Sequence, residues 1–250
     1  MTTPRTGVEI PPEKGTPPVT DQIEQLRQLM ASSRNTVVIT GAGISTPVGI
    51  LDMEHMNVLQ VAQTAVEALV RLHPERSYRL LQKSFLNAIF HTGPSLAHRR
   101  LAELEQEGRV HGIVTTNIDH LHSIAGSQNV AEIQGSYAIN RCLSCQLQHD
   151  GIERWNQGKA PRCRDCGGIV VSFPVYTHVG LNEPDYNRAG SWVAQADVVI
   201  AVGSKGMYGG YLNRLNPQAA VVTINPKPTQ FDDTATLVIR SQADDVFAQI

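Results

Sequence analysis

NTVVITGAGIS, residues 35–45, is the stretch on which the fold turns. A short run rich in β-branched residues, apolar on both faces, ends abruptly in glycines. Such a run suits a parallel strand buried on both sides rather than a strand with one wet face. Similar runs recur as HGIVTTN (residues 111–117), ADVVIAVGS (196–204), AAVVTIN (219–225) and ATLVIR (235–240). Helical patterns lie between several of them. In SLAHRRLAELEQEG, residues 95–108, Leu96, Leu101 and Leu104 fall at helical spacing and Gly108 serves as the stop. Strand, helix, strand, repeated, predicts an α/β fold, a Rossmann-like doubly wound parallel sheet.

Working outward, ordered structure is expected to begin at TDQIEQLRQLMASS, residues 20–33, where Asp21 can cap a helix with Glu24 three residues on. Ile23, Leu26, Leu29 and Met30 line one face of that helix. Residues 1–19, proline-bearing and without periodicity, read as an extended N-terminal arm. Two regions break the strand–helix alternation: residues 51–93, helical in pattern, and residues 136–172, which hold all four cysteines. They are expected to form a smaller helical and zinc-ribbon lobe beside the sheet, with its metal module at 142–166, inside one catalytic domain spanning 20–250.

The 250 residues carry a formal net charge of -2 with acids and bases interspersed, which gives no electrostatic footprint for nucleic acid. The basic run His98 to Arg100 reads as a solvated helix face. No segment has the apolar length needed to span a bilayer. The opening stretch lacks the apolar core of a secretory signal, so the expected compartment is the cytoplasm and the cysteines read as thiolates rather than disulfides.

Three groups of residues carry candidate chemistry. Gly41 and Gly43 let the backbone approach a ligand closely, and N–H groups at an ensuing helix start would favour a phosphate. The dehydrogenase fingerprint needs a third glycine where Thr46 stands, and Gly49 comes too late. A nucleotide site is therefore indicated without hydride transfer, with a merely tight structural turn as the bland alternative. CLSC and CRDC place Cys142, Cys145, Cys163 and Cys166 as two clamps on one tetrahedral ion, most simply a structural zinc. Redox cysteines or a lost metal remain open at this point. Asn117 and Asp119 follow a strand-like run, where ligands bind in open α/β sheets, although both residue types also cap helices. His120 and His122 lie two apart and are not read as metal ligands.

Taken together, GAGIS, LAHRRLAELEQEGRVHGIVTTNIDHLHSIAG, the paired cysteine motifs with CGG, VVIAVGS and TINPKPTQFDDTATLVIRSQADDVF resemble the sirtuins over residues 20–250. The sirtuins are protein deacylases and ADP-ribosyltransferases that consume NAD. The resemblance implies a Rossmann-like domain with a zinc lobe. It also implies that Gly41, Ala42, Gly43 and Ile44 line the NAD diphosphate and nicotinamide pocket, with Asp52 and Thr116 nearby. Asn117 and Asp119 would address the nicotinamide and its ribose as catalytic residues. Gly203, Ser204 and Asn225 would meet the adenosine side, with Ala243 and Asp244 as weaker members of that set.

Several positions depart from the family pattern. Where the family reads Pro-Asp-Phe-Arg this chain has Leu51-Asp52-Met53-Glu54; Thr116 replaces a Gln; and Ser-Lys-Gly follows Gly203 in place of Thr-Ser-Leu. The Phe-Gly-Glu segment that pairs with an acyl-lysine peptide is hard to find in VVSFPVYTHVGLNE. The catalytic His is Gln134. In the deacylase mechanism that His removes a ribose hydroxyl proton, and Gln has no proton to exchange near neutral pH. Loss of a general base costs about 10²–10⁴ in rate, roughly 3–5 kcal/mol. Cleavage of the nicotinamide bond needs less, because a carboxylate such as Asp119 can stabilise the developing cation. The expectation is an NAD-dependent mono-ADP-ribosyltransferase acting on a protein acceptor. It is similar to the macrodomain-linked bacterial sirtuins, which implies a lipoyl-carrying protein as acceptor and a macrodomain hydrolase as partner. A weak lysine deacylase with His178 as substitute base, and a catalytically decayed NAD or ADP-ribose sensor, are the rival readings.

Overall fold

A computed structural model of the chain describes residues 17–50, 58–176, 180–206 and 210–250. The strands in chain order are β1 (Thr36–Thr40), β2 (Gly112–Thr115), β3 (Val130–Glu132), β4 (Ile139–Cys142), β5 (Gln148–Asp150), β6 (Val170–Ser172), β7 (Val198–Val202), β8 (Ala220–Ile224) and β9 (Leu237–Ile239). Six of them pair in parallel in the order β3-β2-β1-β7-β8-β9. The doubly wound reading of the five apolar runs therefore holds. The three-residue edge strand β3 is too short to give a period, and the sequence did not announce it.

Every residue of β1 is buried, and alternate residues face different layers. Val38 joins a core with Ile113, Ile200 and Val222, closed by helices α1 (Val19–Ser32), α5 (Leu96–Gln106) and α9 (Ala243–Phe247). Val37 and Ile39 join the opposite core with Val114 and Val199, covered by α8 (Glu183–Gln195). The exposed side of β3 is closed by side chains rather than by another strand. Asp185 accepts from the Glu132 N–H at 2.9 Å, and Arg188 both pairs with Asp185 and donates to the Val130 carbonyl. This blunts an edge that would otherwise offer its ladder to another chain.

The region after β1 supplies α2 (Val58–Ala65), α3 (Glu67–Leu72) and α4 (Pro74–Leu81), the last continuing through two π segments, Gln82–Leu86 and Ala88–Thr92. These pack on a three-stranded antiparallel sheet of order β5-β4-β6. Tyr78 donates to the Trp155 carbonyl at 3.1 Å, and the Trp155 indole donates to Asn140 Oδ1 at 2.8 Å. Among the described residues no helix is long and apolar enough to cross a membrane.

Four local expectations need correction. Helix α1 starts two residues before Asp21, and its first bonds run from the Asp21 and Gln22 N–H groups to the Pro18 carbonyl. Asp21 is thus a first-turn acid, not the cap. Leu96, at the first position of α5, is exposed, and Ala97 takes its place in the core. His98 is buried rather than part of a solvated face, because it completes a capping box with Ser95. The glycine turn leads not into an α-helix but into two 3-10 turns, Ala42–Ile44 and Thr46–Val48.

Candidate active site

In the sheet order, connections from β1 run one way to β2 and β3 and the other way through β7, β8 and β9, so the crevice at the carboxyl ends of β1 and β7 is the switch point. Gly41 and Gly203 leave those two strands side by side. The Gly43 N–H donates to the Gly203 carbonyl at 2.9 Å. A Cβ on Gly43 would come within 2.7 Å of Gly203 Cα, and one on Gly203 within 2.5 Å of the Ile44 nitrogen. Gly203 also has φ +58, the left-handed region open to glycine. Two glycines are therefore needed for the loops to touch.

The loop after β2 adds the polar part. Asn117 Nδ2 donates to the Gly41 carbonyl at 3.2 Å and to Ser45 Oγ at 3.1 Å. Ser45 Oγ in turn donates to Asp119 Oδ2 at 2.7 Å, while the Leu121 N–H donates to Asp119 Oδ1 at 3.0 Å. Thr116 is tied to the end of β1 through its N–H, which donates to the Thr40 carbonyl at 3.2 Å. Ser45 is the member sequence reasoning missed; the signal was its place at the end of GAGIS, one position past the glycine turn. Burial pushes Asp119 up to about 6, against the two hydrogen bonds that favour its charged form. Among the described residues its carboxylate makes no ion pair. A buried carboxylate held by two neutral donors is an arrangement that a cationic ligand would complete.

Not every candidate turns its side chain to this crevice. Ile44 is fully buried in the core between the sheet and α9, so only its backbone is offered to a ligand. Ala243 lies in the same core, and the Asp244 carboxylate accepts from the Ala97 N–H at 2.9 Å, at the start of α5. Ala42 is half-buried between Gly41 and Gly43. Asn225 directly follows β8 and donates to the Ser204 carbonyl at 3.2 Å, which joins it to the Gly203 loop. Gln134 follows β3 and is half-buried; the next residue, Gly135, has φ +64 and packs so closely on Phe173 that a Cβ there would lie 2.2 Å from the ring. Asp52, Met53, Glu54 and His178 lie outside the described residues.

His120 and His122 turn opposite ways. His120, with φ 63, bonds Glu132 Oε1 through Nδ1 at 2.7 Å. Burial works against its protonation, but the Glu132 carboxylate outweighs this and raises it above the ordinary imidazole value. His122 is buried beside His98, with ring centroids 4.6 Å apart, and its Nε2 meets Thr40 Oγ1 at 2.9 Å.

Beside the smaller sheet the sulfurs of Cys142, Cys145, Cys163 and Cys166 all lie within 4.8 Å of one another, with Cys142–Cys166 at 3.5 Å and Cys145–Cys163 at 3.6 Å. A tetrahedral ion with zinc–sulfur bonds of about 2.3 Å requires sulfur–sulfur edges of about 3.8 Å. Gly168 is part of the cradle: a Cβ there would sit 2.9 Å from Cys142 Sγ. The backbone N–H groups of Cys166 and Asp165 hold the Cys163 thiol below its usual range. The residues fit a closed, four-thiolate zinc site.

A glycine-walled switch-point crevice, a buried carboxylate beside it and a cysteine-knuckle lobe packed alongside define a nucleotide-using α/β enzyme with a structural metal. The Sir2 family model matches residues 41–207. NAD-dependent protein deacetylase 1 of Pyrobaculum aerophilum is 31% identical over 240 residues, covering 92% of this chain and 94% of its own. A structure described as the structural basis of sirtuin substrate affinity superposes with a TM-score of 0.78 at 28% identity, over 90% of this chain and 96% of the other. A Sir2 complex with a p53 peptide and NAD+ gives a TM-score of 0.72 at 29% identity, over 91% and 96%. The chain belongs to the Sir2 family, the sirtuins. It is an NAD-dependent enzyme, and its four cysteines fit the structural zinc site.

Proposed function

We propose that this sirtuin breaks the nicotinamide–ribose bond of NAD and passes the ADP-ribosyl group to a protein acceptor. One observation carries the reading: Gln134 stands where the family resemblance calls for the catalytic His. Bound NAD supplies a glycosidic bond to a cationic pyridinium leaving group. In this assignment Asp119 stabilises positive charge as that bond breaks, and Ser45 fixes the carboxylate. Asn117, tied to both Gly41 and Ser45, orients the ligand. Gly41, Ala42, Gly43, the Ile44 backbone, Thr116, Gly203, Ser204 and Asn225 line the remainder of the cofactor site, within one catalytic unit of residues 20–250. Gln134 can orient a hydroxyl but cannot take its proton, so the deacylation step is the one impaired.

The segment beyond β6 supports the same reading. Helix α7 (Phe173–Tyr176) begins directly after Ser172, and Pro174 has no N–H. A helical turn with a proline offers no ladder to an extended acyl-lysine peptide, which binds by adding a strand. The acceptor proposed is a lipoyl-carrying protein, with a macrodomain hydrolase as the reversing partner, in the cytoplasm.

Protein lysine deacylation is the second reading, favoured because similar relatives bear the name NAD-dependent protein deacetylase. Nicotinamide release measured with a lipoylated carrier protein and, separately, with an acetyl-lysine peptide separates the two. ADP-ribose left on the carrier with the peptide untouched supports transfer. O-acetyl-ADP-ribose formed from the peptide supports deacylation and overturns the first reading. Gln134→His should leave nicotinamide release within a few-fold and raise any peptide deacylation by about 10²–10⁴. NAD binding without nicotinamide release in any mixture would identify a sensor.

A further inference from the structure

We infer that His149 is a positioning residue of the metal centre, donating a hydrogen bond from Nε2 to the Cys163 sulfur and so setting how firmly the zinc is held. In β5 the alternation of side chains exposes Gln148 and Asp150 and turns His149 inward. The imidazole is buried, and its Nε2 lies 3.3 Å from Cys163 Sγ. The strand is pinned there, because His149 sits opposite Asn140, which holds the Trp155 indole and the carbonyls of Tyr137 and Gly151.

The four sulfurs are not alike. Cys145 and Cys166 are exposed and solvated, whereas Cys142 and Cys163 are buried. Four thiolates around one Zn²⁺ leave a net charge of about -2, and the buried pair has no water to spread it. Cys142 accepts the Ser144 backbone N–H at 3.4 Å, whereas Cys163 is the sulfur that, among the described residues, a side-chain N–H reaches. Donors of this kind orient a ligand and stabilise its charge, and their loss typically weakens metal retention about 10–100-fold.

The test uses the zinc-loaded full chain. His149→Phe fills the volume and deletes the donor; His149→Gln restores an N–H; His149→Leu repeats the deletion if the larger ring is not tolerated. Zinc release to a chromophoric chelator should quicken about 10–100-fold in Phe or Leu and return toward the wild-type rate in Gln. With Co²⁺ in place of Zn²⁺, the sulfur-to-cobalt charge-transfer band should move to lower energy only in the donor-less variants, a shift that loosened packing does not produce. Equal release rates in all proteins would overturn the proposal. So would Gln behaving like Phe with the band unmoved.

Discussion

The role proposed for Asp119 runs against the stability of the fold. Burial raises its pKa to about 6, so below that pH it is protonated in the ligand-free enzyme and carries no charge to offer a cation. The kcat/KM for NAD cleavage should fall about tenfold per pH unit below 6, since that ratio reports the free enzyme. The sign for stability is opposite. A carboxyl whose folded pKa lies above its unfolded value contributes stability that is complete below the unfolded value and lost as pH rises through 6. Asp119→Asn should therefore lose about 10²–10³ in nicotinamide release yet unfold at higher urea near pH 7. The gain expected is about 1–2 kcal/mol, because Asn cannot keep both hydrogen bonds from Ser45 and Leu121. The gain should shrink on acidification toward pH 4. A variant that is inactive and less stable at every pH would place Asp119 in a purely structural role.

At the scale of elements, α5 is fastened to the sheet end through two buried imidazoles. His98 accepts from Ser95 through Nδ1 in the capping box, and its ring meets His122, which bonds the last residue of β1. Burial holds His98 down to about 4, and His122 well below its ordinary value, so both are neutral in the folded protein. The unfolded chain gains protons below about 6.5, so stability is lost as pH falls from there toward 4. His98 alone should cost about 2 kcal/mol between pH 7 and 5. His98→Gln keeps the capping pattern without the titration, and its urea midpoint should depend on pH correspondingly less. An unchanged pH dependence would exclude His98. This feature also marks what sequence could and could not supply. The apolar runs and the glycines announced the sheet, because burial on both faces leaves a composition that one strand alone displays. His98 looked solvated because charge runs are judged by their neighbours, Arg99 and Arg100, whereas its environment comes from α6 (Leu121–Ile124), which carries His122. Asn117 and Asp119 were legible from their position after a strand. Their link through Ser45, and the seating of Gly43 on Gly203, depend on loops 72 and 160 residues apart.

For the whole molecule, the cysteine-bearing lobe and the switch-point crevice share a core. Val48 and Ile50, beyond the glycine loop, and Leu121, beyond Asp119, pack in one cluster with Tyr78, Tyr137, Ile152 and Trp155. The three-stranded sheet brings few apolar residues of its own, so the zinc clamp across residues 142–166 carries much of its order. The six-stranded sheet has cores on both faces and needs no metal. Removing zinc should therefore produce two responses rather than one unfolding event. Amides of β4, β5 and β6 should exchange at least about tenfold faster, while those of β1, β7 and β8 keep their protection. Trp155 fluorescence should shift toward that of a wet indole before far-ultraviolet ellipticity changes. Nicotinamide release should disappear in the same range of chelator, because Leu121 loses the surface that holds the Asp119 loop in place. If sheet and lobe lose protection together, the molecule is one cooperative unit and the metal stabilises all of it. If the lobe loosens while nicotinamide release survives, the crevice is held by the sheet alone, and the shared core has no part in catalysis.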